Sequence, residues 1–181
     1  PQIADYQEAL SMVSVQTERL SQVIDVLLEM TDLQSAKKNN LISLDELVEE
    51  VICDLIAIAE NKGIALNQKP GTSPQILGND TLMYRAIYNL IENAIKYNHQ
   101  GGEVTIAIEE TNYQAKVMIS DTGSGIDKND WEKIFEPFFR VDKSRSRAMG
   151  GAGLGLALVK EIAKQHGGDV SIIQSSNQGT T

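Results

Sequence analysis

The stretch NLIENAIKYN, residues 89–98, constrains the fold most, because its side chains fall into two stripes at helical spacing. Asn89, Asn93 and Lys96 lie at i, i+4 and i+7, which places them on one side of a helix. Asparagine is a mediocre helix former, so two asparagines in register with a lysine indicate a surface that holds a polar ligand. An ordinary solvated polar stripe is the alternative. The apolar residues would cover another side and enter a core: Leu90, Ile91, Ala94 and Ile95.

The composition indicates a globular chain without a nucleic-acid partner. Its 181 residues are 41% hydrophobic, and 16 basic against 25 acidic residues give a net charge of −9. A nucleic-acid binder would usually carry a basic patch. The single cysteine, Cys53, excludes an intrachain disulfide and fits a reducing compartment. No apolar run approaches the about 18 residues of a membrane span. We therefore expect a cytoplasmic fragment without membrane contact, whose parent protein could be membrane-anchored.

The first 40 residues predict one long helix followed by a linker, residues 34–40. Apolar residues and threonines alternate in steps of three and four, which is typical of a helix that packs on other helices, as in a four-helix arrangement. A helix folded onto its own domain is the alternative. The seam is Leu10, Val13, Thr17, Leu20, Ile24, Leu27 and Thr31, widened by Val23 and Leu28.

The remaining sequence alternates predicted helices and strands, which favours the α+β class. Ser43 and Glu46 have the form of a capping box for a helix that ends at Gly63. Its buried face would comprise Leu47, Val48, Val51, Leu55, Ile58 and Ala59. Asp80 or Thr81 would cap the helix that carries NLIENAIKYN. The other predicted elements are strands at 64–67, 104–109, 115–121 and 169–173, a short helix near Trp131 and a helix at 154–166.

DTGSGI, residues 121–126, is a candidate ligand-binding turn at the end of an apolar strand. The carboxylate of Asp121 could accept a hydrogen bond from an amino group such as the exocyclic amine of adenine. Gly123 and Gly125 would let the backbone approach a ligand closely, because no Cβ intervenes. An ordinary Asp-Gly turn is the alternative.

Two further segments could bind phosphates. GGAGLGLALVK, residues 150–160, leads glycines into an apolar-periodic helix, where backbone N–H groups and the helix dipole favour anions. Leu156 breaks the G-x-G-x-x-G spacing, and the chain has no Gly-Lys pair, so neither a dinucleotide fingerprint nor a Walker loop fits. FEPFFRVDKSRSR, residues 135–147, combines three phenylalanines with four cations and suits a lid that closes on phosphates. A solvated basic loop is its alternative.

In this order, NLIENAIKYN, DTGSGI, FEPFFR and GGAGLGL resemble the N, G1, F and G2 boxes of bacterial sensor histidine kinases, within the GHKL superfamily. The resemblance covers roughly residues 43–181. It implies a Bergerat-type two-layer α/β sandwich, in which helices cover one face of a mixed sheet. Residues 41–181 would be the catalytic ATP-binding domain, with a truncated last strand. Residues 1–40 would be the second helix of the dimerisation and phosphotransfer hairpin, without its acceptor histidine, and a linker.

The resemblance also implies ATP and Mg²⁺ as cofactors and assigns roles to single residues. Asn93 would bind Mg²⁺ with help from Asn89, and Lys96 would reach phosphate. Asp121 would accept from the adenine amine, while Tyr97 would flank the base or ribose. Asn89, Lys96 and Arg140 form the implied catalytic set. The other implied nucleotide contacts are Gly123, Gly125 and Ile126 in the pocket, Phe138, Arg140 and Arg145 in the lid, and Gly151, Gly153, Leu154 and Gly155 around the phosphates. Ala152 replaces the family's usual Thr or Ser, so one hydroxyl contact would be missing.

The predicted reaction is phosphoryl transfer and not hydrolysis. Hydrolysing relatives carry a glutamate where this chain has Asn89, which cannot act as a base. Glu92 is adjacent to Asn93 and projects about 100° around the helix. No histidine precedes residue 43, and His99 and His166 are predicted surface residues. The fragment is therefore expected to bind Mg·ATP without autophosphorylating.

The expected partners are the parent's histidine-bearing helix, a response-regulator receiver domain, and a second copy that dimerises through the parent's hairpin. A dimerising scaffold with weak nucleotide binding and a hydrolysing GHKL relative are the alternative functions.

Overall fold

The computed structural model describes residues 39–111, 114–141 and 152–181, together with positions 6, 10, 12–14, 16–17, 20–21 and 24. Every described position before residue 39 is helical and exposed, and the Thr17 hydroxyl donates to the Val13 carbonyl at 2.9 Å. The later seam residues Leu27 and Thr31, the flanking Val23 and Leu28, and most of the predicted linker lie outside the described residues. The division into a hairpin helix and a catalytic domain stays a prediction.

The described residues from 39 onward form three α-helices, seven strands and two 3₁₀ turns. The helices are α1 (Leu44–Asn61), α2 (Asp80–Lys96) and α3 (Gly155–Gln165). The strands are β1 (Asn40–Ser43), β2 (Ala65–Gln68), β3 (Gln75–Gly78), β4 (Glu103–Glu110), β5 (Ala115–Asp121), β6 (Ser175–Ser176) and β7 (Gly179–Thr180). The 3₁₀ turns are Lys128–Asp130 and Lys133–Phe135. Within this part of the chain, no helix is long and apolar enough to cross a membrane.

The central sheet has the order β2-β4-β5 and is mixed, as predicted. β2 runs parallel to β4, and β4 pairs antiparallel with β5. Val104, Ile106 and Ile108 alternate along β4 and are buried, so one face of the sheet enters the core. Helices α1 and α2 supply the opposite side of that core. The α+β fold with helices layered on a mixed sheet is therefore confirmed.

A two-stranded ribbon, β1 paired antiparallel with β3, was missed by the pattern analysis. Asn40 was predicted to end a linker, yet it begins β1. Both strands have only four residues, and their pairing joins segments more than thirty positions apart. Such short strands depend on long-range partners more than on a local pattern.

The predicted N-cap residue of α1 is correct but lacks the predicted hydrogen bond, and the predicted N-cap of α2 is wrong. Ser43 is the N-cap of α1, but its hydroxyl bonds to the Ser73 hydroxyl at 3.2 Å and makes no cap hydrogen bond. Asn79, and neither Asp80 nor Thr81, caps α2, because its side chain accepts from the Leu82 N–H at 3.0 Å. The predicted core face of α1 is buried except at Ile58, which is 42% exposed.

The predicted strand at residues 169–173 is absent, and the short hairpin β6–β7 follows instead. Val170 packs against a second apolar cluster, formed by Ala86 of α2 and three residues of α3. Val170 therefore packs on α2 and α3 and pairs with none of the described strands. Pairing begins only at Ile173, whose N–H donates to the Thr181 carbonyl at 2.8 Å. The α3 residues of the second cluster are Leu158, Val159 and Ile162.

Candidate functional site

Helix α2 presents the predicted polar stripe next to the start of α3. Asn89, Asn93 and Lys96 are all half-buried. The Asn89 side chain donates through Nδ2 to the Arg85 carbonyl at 2.8 Å. A Cβ added to Gly155 would lie 2.6 Å from Asn89 Oδ1. The first turn of α3 can therefore approach the stripe only because residue 155 is glycine.

The glycine-rich segment before α3 contacts the phenylalanine-containing segment. The Phe138 N–H donates to the Gly153 carbonyl at 2.9 Å. A Cβ on Gly153, which has a φ of +74°, would lie 2.9 Å from the Phe139 carbonyl oxygen. Leu154 is only 3% exposed and anchors the loop in the core. Phe138 also has a positive φ, 65°, which is strained for a bulky residue, and its side chain is 60% exposed.

The DTGSGI turn lies against the C-terminal end of α2. A Cβ on Gly123 would be 2.6 Å from the Tyr97 carbonyl oxygen. Asp121 Oδ1 accepts from the Gly123 N–H at 2.8 Å and from the Thr180 N–H at 3.3 Å. Burial raises the pKa of the Asp121 carboxyl, although these two hydrogen bonds act to lower it. Among the described residues, none donates to Oδ2, which leaves that oxygen able to accept from a ligand.

The lysine of the stripe lies within electrostatic reach of two other cations, Arg140 and Lys62. Burial lowers the pKa of the Lys96 ammonium, and the positive charges of Arg140 and Lys62 lower it further, while Glu92 raises it. Arg140 is therefore close enough to act on Lys96, although the two residues come from different segments. A partly desolvated lysine beside an arginine favours an anionic ligand, because an anion offsets both desolvation and mutual repulsion. Lys96 also lies 5.7 Å from the centre of the Tyr97 ring, which is 47% exposed.

The side chains of the stripe fit a magnesium ion that is shared with phosphates. Among the described residues, no three His, Cys, Asp or Glu side chains are grouped as a metal site. Asparagine offers a neutral oxygen, and Mg²⁺ commonly takes few protein ligands and completes its shell with phosphate and water. Asn93 and Asn89, one turn apart on α2, suit that arrangement.

The structure thus brings together most of the predicted site residues. The stripe, the DTGSGI turn with Ile126, the Phe138–Arg140 segment and Gly153–Gly155 surround one surface. Arg145 and Gly151 lie outside the described residues, so their roles stay predictions. A cleft of about 340 Å³ lies at the C-terminal ends of α1 and α2, but none of the glycine-containing segments lines it.

Sequence reasoning missed three contributors to this surface, because each acts across a long sequence separation. Lys62 Nζ donates to the carbonyls of Ile95 and Lys96 and caps the end of α2. Ser175 and Thr180 of the last hairpin bond to the DTGSGI turn. No periodicity or spacing in the sequence indicates these contacts.

The two histidines differ from each other. His99 is exposed, as predicted. The prediction that His166 is a surface residue is wrong, because it is half-buried. Its Nε2 accepts from the Asn79 N–H at 3.0 Å, and its Nδ1 contacts the Ile162 carbonyl at 2.8 Å. His166 thus joins the end of α3 to the start of α2.

Comparison with known proteins gives consistent matches. Residues 78–181 match the family model described as histidine kinase-, DNA gyrase B-, and HSP90-like ATPase. The sensor-like histidine kinase SenX3 of Mycolicibacterium smegmatis is 37% identical over 169 residues, covering 92% of this chain and 44% of SenX3. The chain thus spans less than half the length of that relative.

Two solved structures extend the comparison. The mycobacterial sensor histidine kinase MprB matches with a TM-score of 0.69 and 26% identity, over 78% of this chain and 92% of that one. The histidine kinase ThkA, solved in complex with the response regulator protein TrrA, matches with a TM-score of 0.68 and 20% identity. That match covers 91% of this chain and 47% of ThkA, and at this identity it shows the fold alone.

Proposed function

This chain belongs to the family of histidine kinase-, DNA gyrase B- and HSP90-like ATPases, and on that premise we propose that it is the catalytic domain of a sensor histidine kinase. Its reaction would transfer the γ-phosphoryl group of ATP to a histidine on a separate helix, for relay to a response-regulator aspartate. One observation carries the proposal: the asparagine stripe of α2, the Asp121 turn and the Gly153–Gly155 segment meet at one surface.

Asp121 and its turn would bind the adenine. Oδ1 is held by two backbone N–H groups, which orients the carboxylate and leaves Oδ2 to accept from the exocyclic amine. Gly123, Gly125 and Ile126 would line the ring, and exposed Tyr97 would flank the base or ribose. A half-buried carboxylate favours a ligand that donates a hydrogen bond over one that only accepts.

The phosphates would lie between α2 and the start of α3. Lys96 and Arg140 supply positive charge there, and the N–H groups and dipole at the start of α3 add to it. Gly153, Leu154 and Gly155 would form the phosphate loop, joined by Gly151 and by Arg145, while Phe138 would cover it. Asn93 and Asn89 would hold Mg²⁺, which when bound neutralises charge on the phosphates. Positioning and charge stabilisation are what phosphoryl transfer requires.

The side chains around the stripe favour transfer over hydrolysis. Asn89 donates to a backbone carbonyl and has no basic group for activating water. The negative charge of Glu92 raises the pKa of Tyr88 and of Lys96, each one turn away along α2. We propose that the acceptor is a histidine outside this chain, as residues 1–42 contain none.

The partners follow from the same proposal. Residues 1–40 would belong to the parent's dimerisation hairpin, since Leu10 and Val13 of the described helical positions are exposed apolar residues. Residues 41–181 would form the catalytic domain. The response regulator would be the final acceptor, as the ThkA–TrrA complex shows a kinase of this fold with such a protein. A cytoplasmic location fits this role.

Calorimetric titration with a non-hydrolysable ATP analogue, with and without Mg²⁺, tests the proposal. We expect saturable binding that Mg²⁺ strengthens and that Asn93→Ala weakens at least about tenfold. Asn129→Ala, in the exposed 3₁₀ turn, is the control and should bind like the unmodified chain. If the folded chain does not bind, or if Asn93→Ala binds normally, a scaffold becomes the better function.

A phosphorylation assay separates transferase from hydrolase. Radiolabelled phosphate should appear on the histidine-bearing hairpin of the parent kinase when it is added, and not on this chain alone. Steady phosphate release that Glu92→Gln abolishes would instead assign the chain to the hydrolysing members of the family.

A further inference from the structure

The last hairpin holds both ends of the DTGSGI turn. At the first end, the Thr180 N–H donates to Asp121 Oδ1 at 3.3 Å. At the second end, the Ile126 N–H donates to Ser175 Oγ at 2.7 Å, across 49 positions of sequence. The Ser175 and Thr180 hydroxyls lie 2.8 Å apart, so the Ser175 side chain, together with the side chain and backbone N–H of Thr180, connects the two ends.

The contact between hairpin and turn is tight. Gly125 has a φ of +71°, and any Cβ there would overlap the Ser176 carbonyl oxygen. Ser175 is half-buried, and the Ile126 N–H, which donates a hydrogen bond to its hydroxyl, is partly buried as well. Loss of the hydroxyl would leave that N–H without its acceptor, and a buried donor without a partner is costly. The turn would then relax away from the hairpin.

We propose that Ser175 is a positioning residue for base recognition: its hydroxyl sets the distance between Asp121 and Ile126, and with it the opening that receives the base. This inference rests on the proposed nucleotide site and names a residue that acts on the ligand only through the turn. The proposed phosphate-binding groups, Lys96 and Arg140, belong to other segments. Ser175 therefore affects binding of the base and leaves binding of the phosphates unchanged.

The test compares ADP with inosine diphosphate, which lacks the exocyclic amine that Asp121 would accept from. Affinities of both Mg²⁺ complexes are measured by competition for the unmodified chain and for Ser175→Ala, Ser175→Thr and Ser43→Ala. Ser43→Ala is the matched control, because it removes another half-buried serine hydroxyl, bonded to Ser73 and remote from the turn. Trp131 is the only tryptophan and donates to the Ile126 carbonyl at 3.1 Å, so its emission reports the state of the turn in each variant.

We expect Ser175→Ala to lose about tenfold in ADP affinity and much less in inosine diphosphate affinity. Ser175→Thr should restore the preference for ADP, and Ser43→Ala should keep it. An equal loss for both nucleotides would overturn the inference, because it would indicate a general structural role, and so would unchanged binding by Ser175→Ala. If the unmodified chain binds neither nucleotide, the proposed function fails first and the inference fails with it.

Discussion

Two ionisable residues of the site are held where burial opposes their charge. The pKa of the Asp121 carboxyl is raised and that of the Lys96 ammonium is lowered, in each case chiefly by burial. Both shifts mean that the charged form is less favourable in the folded protein than in the unfolded chain. Charge kept at such a cost is typical of binding sites, where ligand contacts offset it.

Replacement of Asp121 by asparagine should separate stability from binding. Because the carboxyl pKa is raised, its contribution to folding is greatest below its ordinary pKa and is lost as the pH rises through the folded value. At pH 7 the carboxylate is therefore destabilising. Asp121→Asn removes the charge but keeps an oxygen that can accept from Gly123 and Thr180.

We expect Asp121→Asn to unfold at a higher temperature than the unmodified chain at pH 7, and ADP affinity to fall about tenfold. The difference in melting temperature should shrink as the pH is lowered through the raised pKa of the native carboxyl, where it takes up its proton. Thermal unfolding at several pH values and calorimetry provide the measurements. A variant that is less stable at neutral pH would contradict this reading of the pKa shift.

Helix α2 contacts two parts of the structure, the main core and the start of α3, with different sides. Ile87, Ile91 and Ile95 enter the main core, while the asparagine stripe contacts the start of α3. The glycine at the first position of α3 is what permits this approach. The φ of Gly155 is not positive. Position 155 therefore requires glycine because Asn89 occupies the space of a Cβ, and not because of backbone strain.

Gly155→Ala should therefore reduce ligand affinity more than it reduces the stability of the fold. The new Cβ would lie 2.6 Å from Asn89 Oδ1 and would displace a proposed metal ligand. Alanine also favours the helix by up to about 1 kcal/mol, which offsets part of the strain. We expect ADP affinity to fall at least about tenfold with little change in the free energy of unfolding.

Gly168→Ala is the control for that substitution, since its Cβ would meet only the Ala163 carbonyl oxygen at an ordinary 3.6 Å. Urea titration and calorimetry on both variants give the comparison. Equal ADP affinities for the two variants would show that α3 does not need to approach the stripe closely.

At the scale of the whole molecule, the described residues from 39 onward pack into two apolar clusters of unequal size that share α2. The larger joins α1, α2 and the central sheet, whereas the smaller holds α3 through Leu158, Val159 and Ile162. The proposed phosphate loop precedes α3, so its position depends on the smaller cluster. Substitutions in the two clusters should therefore differ in their effect on ligand binding.

Leu158→Ala and Leu55→Ala test this difference, since both side chains are fully buried. Leu158 belongs to the smaller cluster and Leu55 to the larger one. Each substitution should cost about 2–5 kcal/mol of unfolding free energy. Only Leu158→Ala should also weaken ADP binding by the chain that remains folded, because it loosens α3. Urea unfolding followed by titration under native conditions measures both effects, and a parallel loss of affinity in the two variants would argue against independent clusters.

The amino-acid sequence by itself determined the elements with strong local patterns and the order of the site segments. Helices α1, α2 and α3 show a 3.6-residue period of apolar residues, and β4 shows an alternation. Both patterns reflect burial of one face and are visible among residues close in sequence. The stripe of Asn89, Asn93 and Lys96 follows from the same period. The glycines of the turn and loop were recognisable because no other residue admits such close backbone approach.

Only the tertiary structure decided the features that depend on partners distant in sequence. The β1–β3 ribbon and the β6–β7 hairpin are too short to show a period, and long-range pairing selects them. The Ser43 hydroxyl contacts Ser73 of a remote loop and makes no cap hydrogen bond to α1. Ser175 reaches Ile126 for the same reason, since a hydrogen bond depends on proximity in space, and the folding of the whole chain supplies that proximity.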